Sequence, residues 1–194
     1  MSELRRRPSL RQQRCGPTRH AIPCSLQRRV ERMAFILTAD SRHEDVTAAF
    51  CNYREYLDSR GHIFPSSAFQ LATSSWYFDA SDHRCPHDAW LEKLELFESS
   101  SGERRQERTL SLQLTLLGAY HDGHIELRYP EVYSYALNLT RGEQGHRDWR
   151  YDELRVSDNG HLIHEIEWWG PHSLGTWIIE ASDLDFWWIP RIVG

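Results

Sequence analysis

No apolar run in these 194 residues reaches the roughly 18 that a membrane span needs, so the sequence reads as that of a soluble chain. Its basic start lacks the apolar stretch of a secretory signal, and Arg5 to Arg7 therefore make no export signal. Cysteine is scarce. Cys15 and Cys24 lie in a polar leader, Cys51 on a predicted helix and Cys85 in a loop, at spacings that match no metal pattern. They are expected to be free thiols in a reducing cytoplasm. A nucleotide loop, a zinc signature and a nucleophile elbow are all missing, and Gly142 to Gly145 is too short and too acidic to cradle a phosphate.

What is present begins with charge. Residues 1–32 hold nine arginines against Glu3 and Glu31, a balance of +7; the chain totals −5, which leaves −12 on residues 33–194. An acidic body does not suit nucleic acid, whose phosphates need a basic face, and it fits a basic protein partner. The leader has no sustained apolar periodicity and is broken by Pro8, Gly16, Pro17 and Pro23, so it is expected to be disordered. Met33 opens Met33-Ala34-Phe35-Ile36-Leu37, the first segment with a folded character, and is the expected true start of translation. The expected division is thus a basic leader over 1–32 and one α+β domain over 33–194.

From about His87 onward, apolar and polar residues alternate one for one, as in Leu110, Leu112, Leu114 and Leu116 against Thr109, Ser111, Gln113 and Thr115. A strand with one buried face needs that period, because successive side chains leave the pleat on opposite sides. Asp122-Gly123 and Asp158-Asn159-Gly160 sit between such runs and predict hairpins, with glycine supplying positive φ. The polar stretch Glu98 to Arg108 reads as an exposed connection. Ahead of the strands, Ser41-Arg42-His43-Glu44 reads as a capping box, and Val46, Ala49, Phe50, Tyr53 and Leu57 fall on one helical face. This predicts a helix over about 42–60, terminated by a left-handed Gly61. A short helical turn follows Pro65, and Trp76-Tyr77-Phe78 reads as a brief strand. The fold class is α+β: an antiparallel meander of about seven strands, curved or partly closed, with the long helix packed on it.

Candidate chemistry is sparse. His83, Cys85 and His87 alternate with Arg84 and Pro86, so an extended backbone would turn three metal-competent side chains to one side, next to Asp88. They are weak metal candidates, with no second cluster to match, and no metal or cofactor is expected. His121, Asp122 and His124 flank a turn and read as surface residues. His164 shares a side with Leu162, Ile166 and Trp168 and reads as a core histidine. Asp148, Asp152, Glu153, Glu165 and Glu167 lie on paired strands, where close carboxylates could serve acid–base work, but alternation predicts that most are solvated. No catalytic residue is assigned. Asn138-Leu139-Thr140 matches a glycosylation sequon, which has meaning only in a secreted chain.

Three stretches carry a resemblance: Pro86-His87-Asp88-Ala89-Trp90-Leu91, the run Leu116 to Gly123 continuing into Ile125 to Pro130, and Gly145-His146-Arg147-Asp148-Trp149 with Tyr151-Asp152-Glu153. Over roughly residues 85–190 the chain resembles a group of small, acidic bacterial proteins with no assigned activity, so the resemblance transfers no functional residue. In size, acidity and sheet content it is also similar to immunity proteins that neutralise toxins.

These readings converge on a non-enzymatic cytoplasmic protein that binds a basic protein partner through an acidic and aromatic surface. The expected contacts are Asp148, Trp149, Tyr151, Asp152 and Glu153. A second reading is a small apolar ligand enclosed by Trp90, Tyr133, Tyr135, Trp168 and Trp177. A third is a metal-dependent enzyme built on His83, Cys85 and His87. Neither nucleic acid nor membrane is expected as a partner of the body, and the oligomeric state is left open.

Overall fold

In the computed structural model, residues 35–140 and 145–191 are described. The leader over 1–32, Met33, Cys15, Cys24 and positions 141–144 of the loop between Thr140 and Arg147 lie outside them. Helix α1 spans Ala39–Arg60. Its cap is Thr38, whose hydroxyl accepts from Ser41 N at 3.1 Å, and not the Ser41 predicted from the capping-box pattern. The helix breaks at Asp45, which is extended (φ −157°, ψ 99°) and accepts from Ala48 N at 3.0 Å, so it caps the second segment. Ala49, Tyr53 and Leu57 are buried as predicted, whereas Val46, in the first turn after the break, is exposed. Gly61 takes a right-handed φ of −52° and passes into a 3₁₀ turn, Gly61–Ile63. Its missing side chain serves packing, because a Cβ there would come within 2.7 Å of the Phe69 ring. Helix α2, Ser66–Ala72, follows Pro65, and the Asp183 carboxylate holds its first turn by accepting from Ser67 N and Ala68 N. Trp76 to Phe78 form turns, not a strand. Among the described residues no helix is long and apolar enough to cross a membrane.

Eight antiparallel strands follow: β1 Trp90–Ser101, β2 Glu107–Leu117, β3 Gly123–Tyr129, β4 Val132–Thr140, β5 Asp148–Val156, β6 Leu162–Gly170, β7 Ser173–Ala181 and β8 Asp185–Pro190. They form one sheet in the order β4-β7-β6-β5-β1-β2-β3-β8. Chain neighbours pair in two meanders, β1-β2-β3 and β5-β6-β7, while β4 and β8 add to the outer edges. The predicted connection Glu98 to Arg108 is mostly an extension of the β1–β2 hairpin, which turns at Gly102 and projects beyond β3 with both faces wet. Only Pro130 and Glu131 separate β3 from β4, although the two strands stand far apart in the order. That short link requires the sheet to curl until β4 comes near β2, leaving an open, strongly bent sheet.

The two meanders join at one end only. Trp90 pairs with Asp148, and Trp149 exchanges backbone hydrogen bonds with Asp88 and Ala89. Beyond that seam β5 parts from β1, and its freed edge is satisfied by side chains of α1. The Tyr53 hydroxyl accepts from Leu154 N and donates to Leu154 O, both at 2.8 Å, and the Tyr56 hydroxyl accepts from Val156 N at 2.9 Å. Inside the bend, Leu112, Leu114, Leu116, Ile125, Leu127 and Tyr129 pack with Leu162, Ile166, Trp168, Trp177 and Ile179, as the alternation predicted. Trp149, Trp168 and Trp177 meet edge to face, with centroids 5.3 and 5.0 Å apart. In the β2–β3 turn the positive φ falls on His121, at 58°, and not on Gly123. Gly123 is small for another reason, since its Cβ would strike the Trp188 ring at 2.4 Å.

Candidate functional site

The contact residues predicted on β5 do not form a surface. A bulge between Trp149 and Tyr151 resets the alternation, so Trp149 and Asp152 both turn inward and are buried. Glu153 points outward but is equally buried, because the chain ahead of α1 crosses over it. Its carboxylate accepts from Ile36 N and Leu37 N at 2.8 Å and pairs with Arg155 Nε at 2.6 Å. Arg155 also pairs with Glu165, while Arg42 donates to both oxygens of Glu167 and lies 3.6 Å over the Tyr151 ring. Desolvation pushes the Glu153 carboxyl up to about 7 against the pull of Arg155 and the two N–H groups, and it raises Glu165 in the same direction. Of the five predicted contacts, only Asp148 and Tyr151 reach solvent, each half-buried.

Asp152 is the hub of a second, buried network. Its Oδ2 accepts from the Tyr77 hydroxyl at 2.6 Å and from His164 Nε2 at 3.0 Å, and its Oδ1 accepts from Trp149 Nε1 at 3.0 Å. His164 Nδ1 meets the Tyr129 hydroxyl at 2.7 Å. The chain thereby ties β3, β5, β6 and the loop after α2 to one carboxylate. Burial holds the Tyr77 and Tyr129 phenols well above their ordinary range, which keeps them protonated as donors. A histidine oriented by an aspartate is the arrangement of an acid–base pair, but His164 is 0 % exposed and its free nitrogen faces only a buried tyrosine. His164 is the satisfied core histidine that the sequence predicted.

The weak metal candidates are held apart by turns. Cys85 N bonds to Asp82 O and Ala89 N to Pro86 O, so the segment is folded back where the pattern assumed an extended one. His83 stacks on Tyr120 and bonds to Asp122 at 2.5 Å, Cys85 buries its thiol against Tyr77 O, and His87 packs edge-on to Tyr151. Among the described residues no group of three His, Cys, Asp or Glu is placed to hold a metal ion. Burial pushes the Cys85 thiol up to about 12, so it is unreactive as well. Alkylation of the native protein at neutral pH is expected to label the exposed Cys51 and spare Cys85, which becomes labelled on unfolding; peptide mapping by mass spectrometry reads both sites.

The five aromatics expected to wall an apolar cavity are also dispersed. Trp168 and Trp177 are in the packed core, whereas Trp90, Tyr133 and Tyr135 are exposed. A cavity of about 160 Å³ lies elsewhere, lined by Phe50, Tyr77, Phe78, Ala80, Cys85, Pro86, His87, Trp149, Arg150, Tyr151 and Asp152.

The outward face of the sheet carries what the sequence reading missed. Directly paired residues of neighbouring strands share a face, and one line of pairs runs across all eight: Thr140, Leu174, Trp169, Asp148, Trp90, Leu117, His124 and Ile189. Four large apolar members are open to solvent, Leu174 at 55 %, Trp169 at 45 %, Trp90 at 44 % and Ile189 at 43 %. Trp90 is fixed by Nε1 donating to Asp148 Oδ1 at 2.8 Å and by the edge of His121, and Arg150 stands 5.9 Å from the Trp169 ring. Carboxylates lie close by: Glu92 is 3.1 Å from His124 of the row, Asp88 pairs with Arg150 and Asp122 with His83. The signal was present in the doublet Trp168-Trp169, because adjacent strand residues face opposite ways and one of the two must leave the core. No family model, curated protein or solved structure matches this chain.

Proposed function

We propose that the folded body is a non-enzymatic binding module of the immunity-protein type, which engages a basic protein partner through the outward row centred on Trp90, Asp148 and Trp169. The row carries the reading: aromatic side chains half open to water, held rigid by neighbours and bordered by carboxylates, have the composition of an interface centre. The balance of −12 on residues 33–194 supports a basic partner, since long-range attraction steers such encounters. That His164 is fully buried with both ring nitrogens engaged supports a binding role over an acid–base one.

The test is coexpression with the toxin-like product of an adjacent reading frame, followed by stopped-flow association over a salt series. Association is expected to slow by about tenfold or more between low and high salt. Trp90→Ala and Trp169→Ala are each expected to weaken the complex by about thirtyfold or more, with the melting temperature little changed. Absence of a saturable complex, or a complex indifferent to both tryptophans and to salt, overturns the reading.

A further inference from the structure

We propose that the cavity beside Asp152 is a binding site for an alkylammonium group, an aromatic cage floored by a carboxylate. This site consists of the cavity and Asp152 and is separate from the outward row. Asp152 is 2 % exposed, and its partners are a phenol, an indole and an imidazole. Among the described residues no guanidinium or lysine ammonium reaches it. The His164 imidazole, 3.0 Å from Oδ2, answers the charge of this carboxylate only when it is protonated. The Oδ1 atom, which accepts only from Trp149, retains a lone pair for one more donor.

The cavity that Asp152 adjoins is walled by rings: Phe50, Tyr77, Phe78, Trp149 and Tyr151. Ring faces attract cations, and a cage of such faces around an acid is a recurrent way to hold an ammonium head. One of these rings, Tyr151, already holds the Arg42 guanidinium. The guanidinium of Arg150, which is itself one of the lining residues, is paired with Asp88 Oδ1 at 3.0 Å. At about 160 Å³ the cavity has the room of roughly five waters at ~30 Å³ each, enough for an ammonium with a few carbons. An anion of that size would meet the carboxylate, and a neutral molecule would leave its charge unmatched.

An alkylammonium can come from a free small amine or from a lysine side chain of a protein partner, and one titration separates them. The full chain, labelled with ¹⁵N, is titrated at constant ionic strength with n-butylammonium chloride, n-butanol, and a short peptide containing either lysine or acetyl-lysine. The indole N–H resonance of Trp149, assigned with Trp149→Phe, is the readout. A saturable shift with n-butylammonium and not with n-butanol supports the site. Addition of a matching shift with the lysine peptide but not its acetylated form assigns a protein side chain as ligand, and inactivity of that peptide assigns a free amine. Phe50→Leu is expected to weaken cation binding by about three- to thirtyfold with the fold retained, and Asp152→Asn to abolish it. If Asp152→Asn does not fold, the Phe50→Leu comparison with n-butanol decides. Linear, non-saturating shifts with both the amine and the lysine peptide overturn the proposal, as do equal responses to n-butylammonium and n-butanol.

Discussion

Asp152→Ala is expected to lower the free energy of unfolding by about 4 kcal/mol, because it strands three buried donors that each cost about 1–3 kcal/mol when left without an acceptor. The donors are the Tyr77 hydroxyl, His164 Nε2 and Trp149 Nε1. Trp149 and His164 are 0 % exposed, and the carboxylate is the acceptor for both of their N–H groups. Tyr77→Phe removes one donor and leaves the carboxylate with two others, and is expected to cost only about 1 kcal/mol. Because Tyr77 and Asp152 are bonded to each other, the double variant is expected to fall short of the sum of the two singles. Urea unfolding of the four proteins measures this cycle. A loss below about 1 kcal/mol for Asp152→Ala would show that the network is dispensable to the fold.

The second large effect is a dependence of stability on pH with a counterintuitive sign. Glu153 is clamped by two N–H groups and Arg155, yet burial dominates and its carboxyl is pushed up to about 7 from an ordinary 4.5. The folded protein therefore holds this proton more tightly than the unfolded chain. Its contribution is fully present below about pH 4.5 and is lost as pH rises through about 7, with a ceiling near 3 kcal/mol. Glu165, raised by its own burial, adds in the same direction. His146 works oppositely, since burial against Trp168 and Trp177 favours its neutral form; its contribution is present above its unfolded value of 6.5 and lost as pH falls below. Chemical denaturation across pH 5 to 8 is expected to show the native chain losing stability toward pH 8 relative to Glu153→Gln, which keeps the shape and has no proton to lose. Parallel curves for the two proteins would refute the assignment.

Legibility in the sequence followed the physics of each element. The inward sides of β2 and β3 were plain, because one-sided burial writes a period of two into Leu112, Leu114, Leu116, Ile125, Leu127 and Tyr129. The far ends of β1 and β2 were not, because strands wet on both faces impose no such period on Glu98 to Ser101 or on Glu107 and Arg108. The hairpin at Asp158-Asn159-Gly160 was readable from local turn chemistry, with Gly160 at φ 78°. The attachment of β4 beside β7 was not, since strand order across a bent sheet depends on contacts distant along the chain. The helix that begins at Ala39 was misplaced by the competing pattern at Ser41 and by the second cap at Asp45. For the site, alternation alone implies exposure on β5. Neither the bulge after Trp149 nor the segment that covers Glu153 leaves a trace in that strand's own residues.

The edge of β5 that Tyr53 and Tyr56 satisfy has a consequence for solubility. A strand edge closed by another strand stays closed as long as the sheet does, but here two phenols on one helix do that work. Any local undocking of α1 bares the amide and carbonyl of Leu154 and the amide of Val156 while the rest of the sheet survives. Such an edge is a template for pairing with another molecule, so the helix is also this protein's guard against fibrillar self-association.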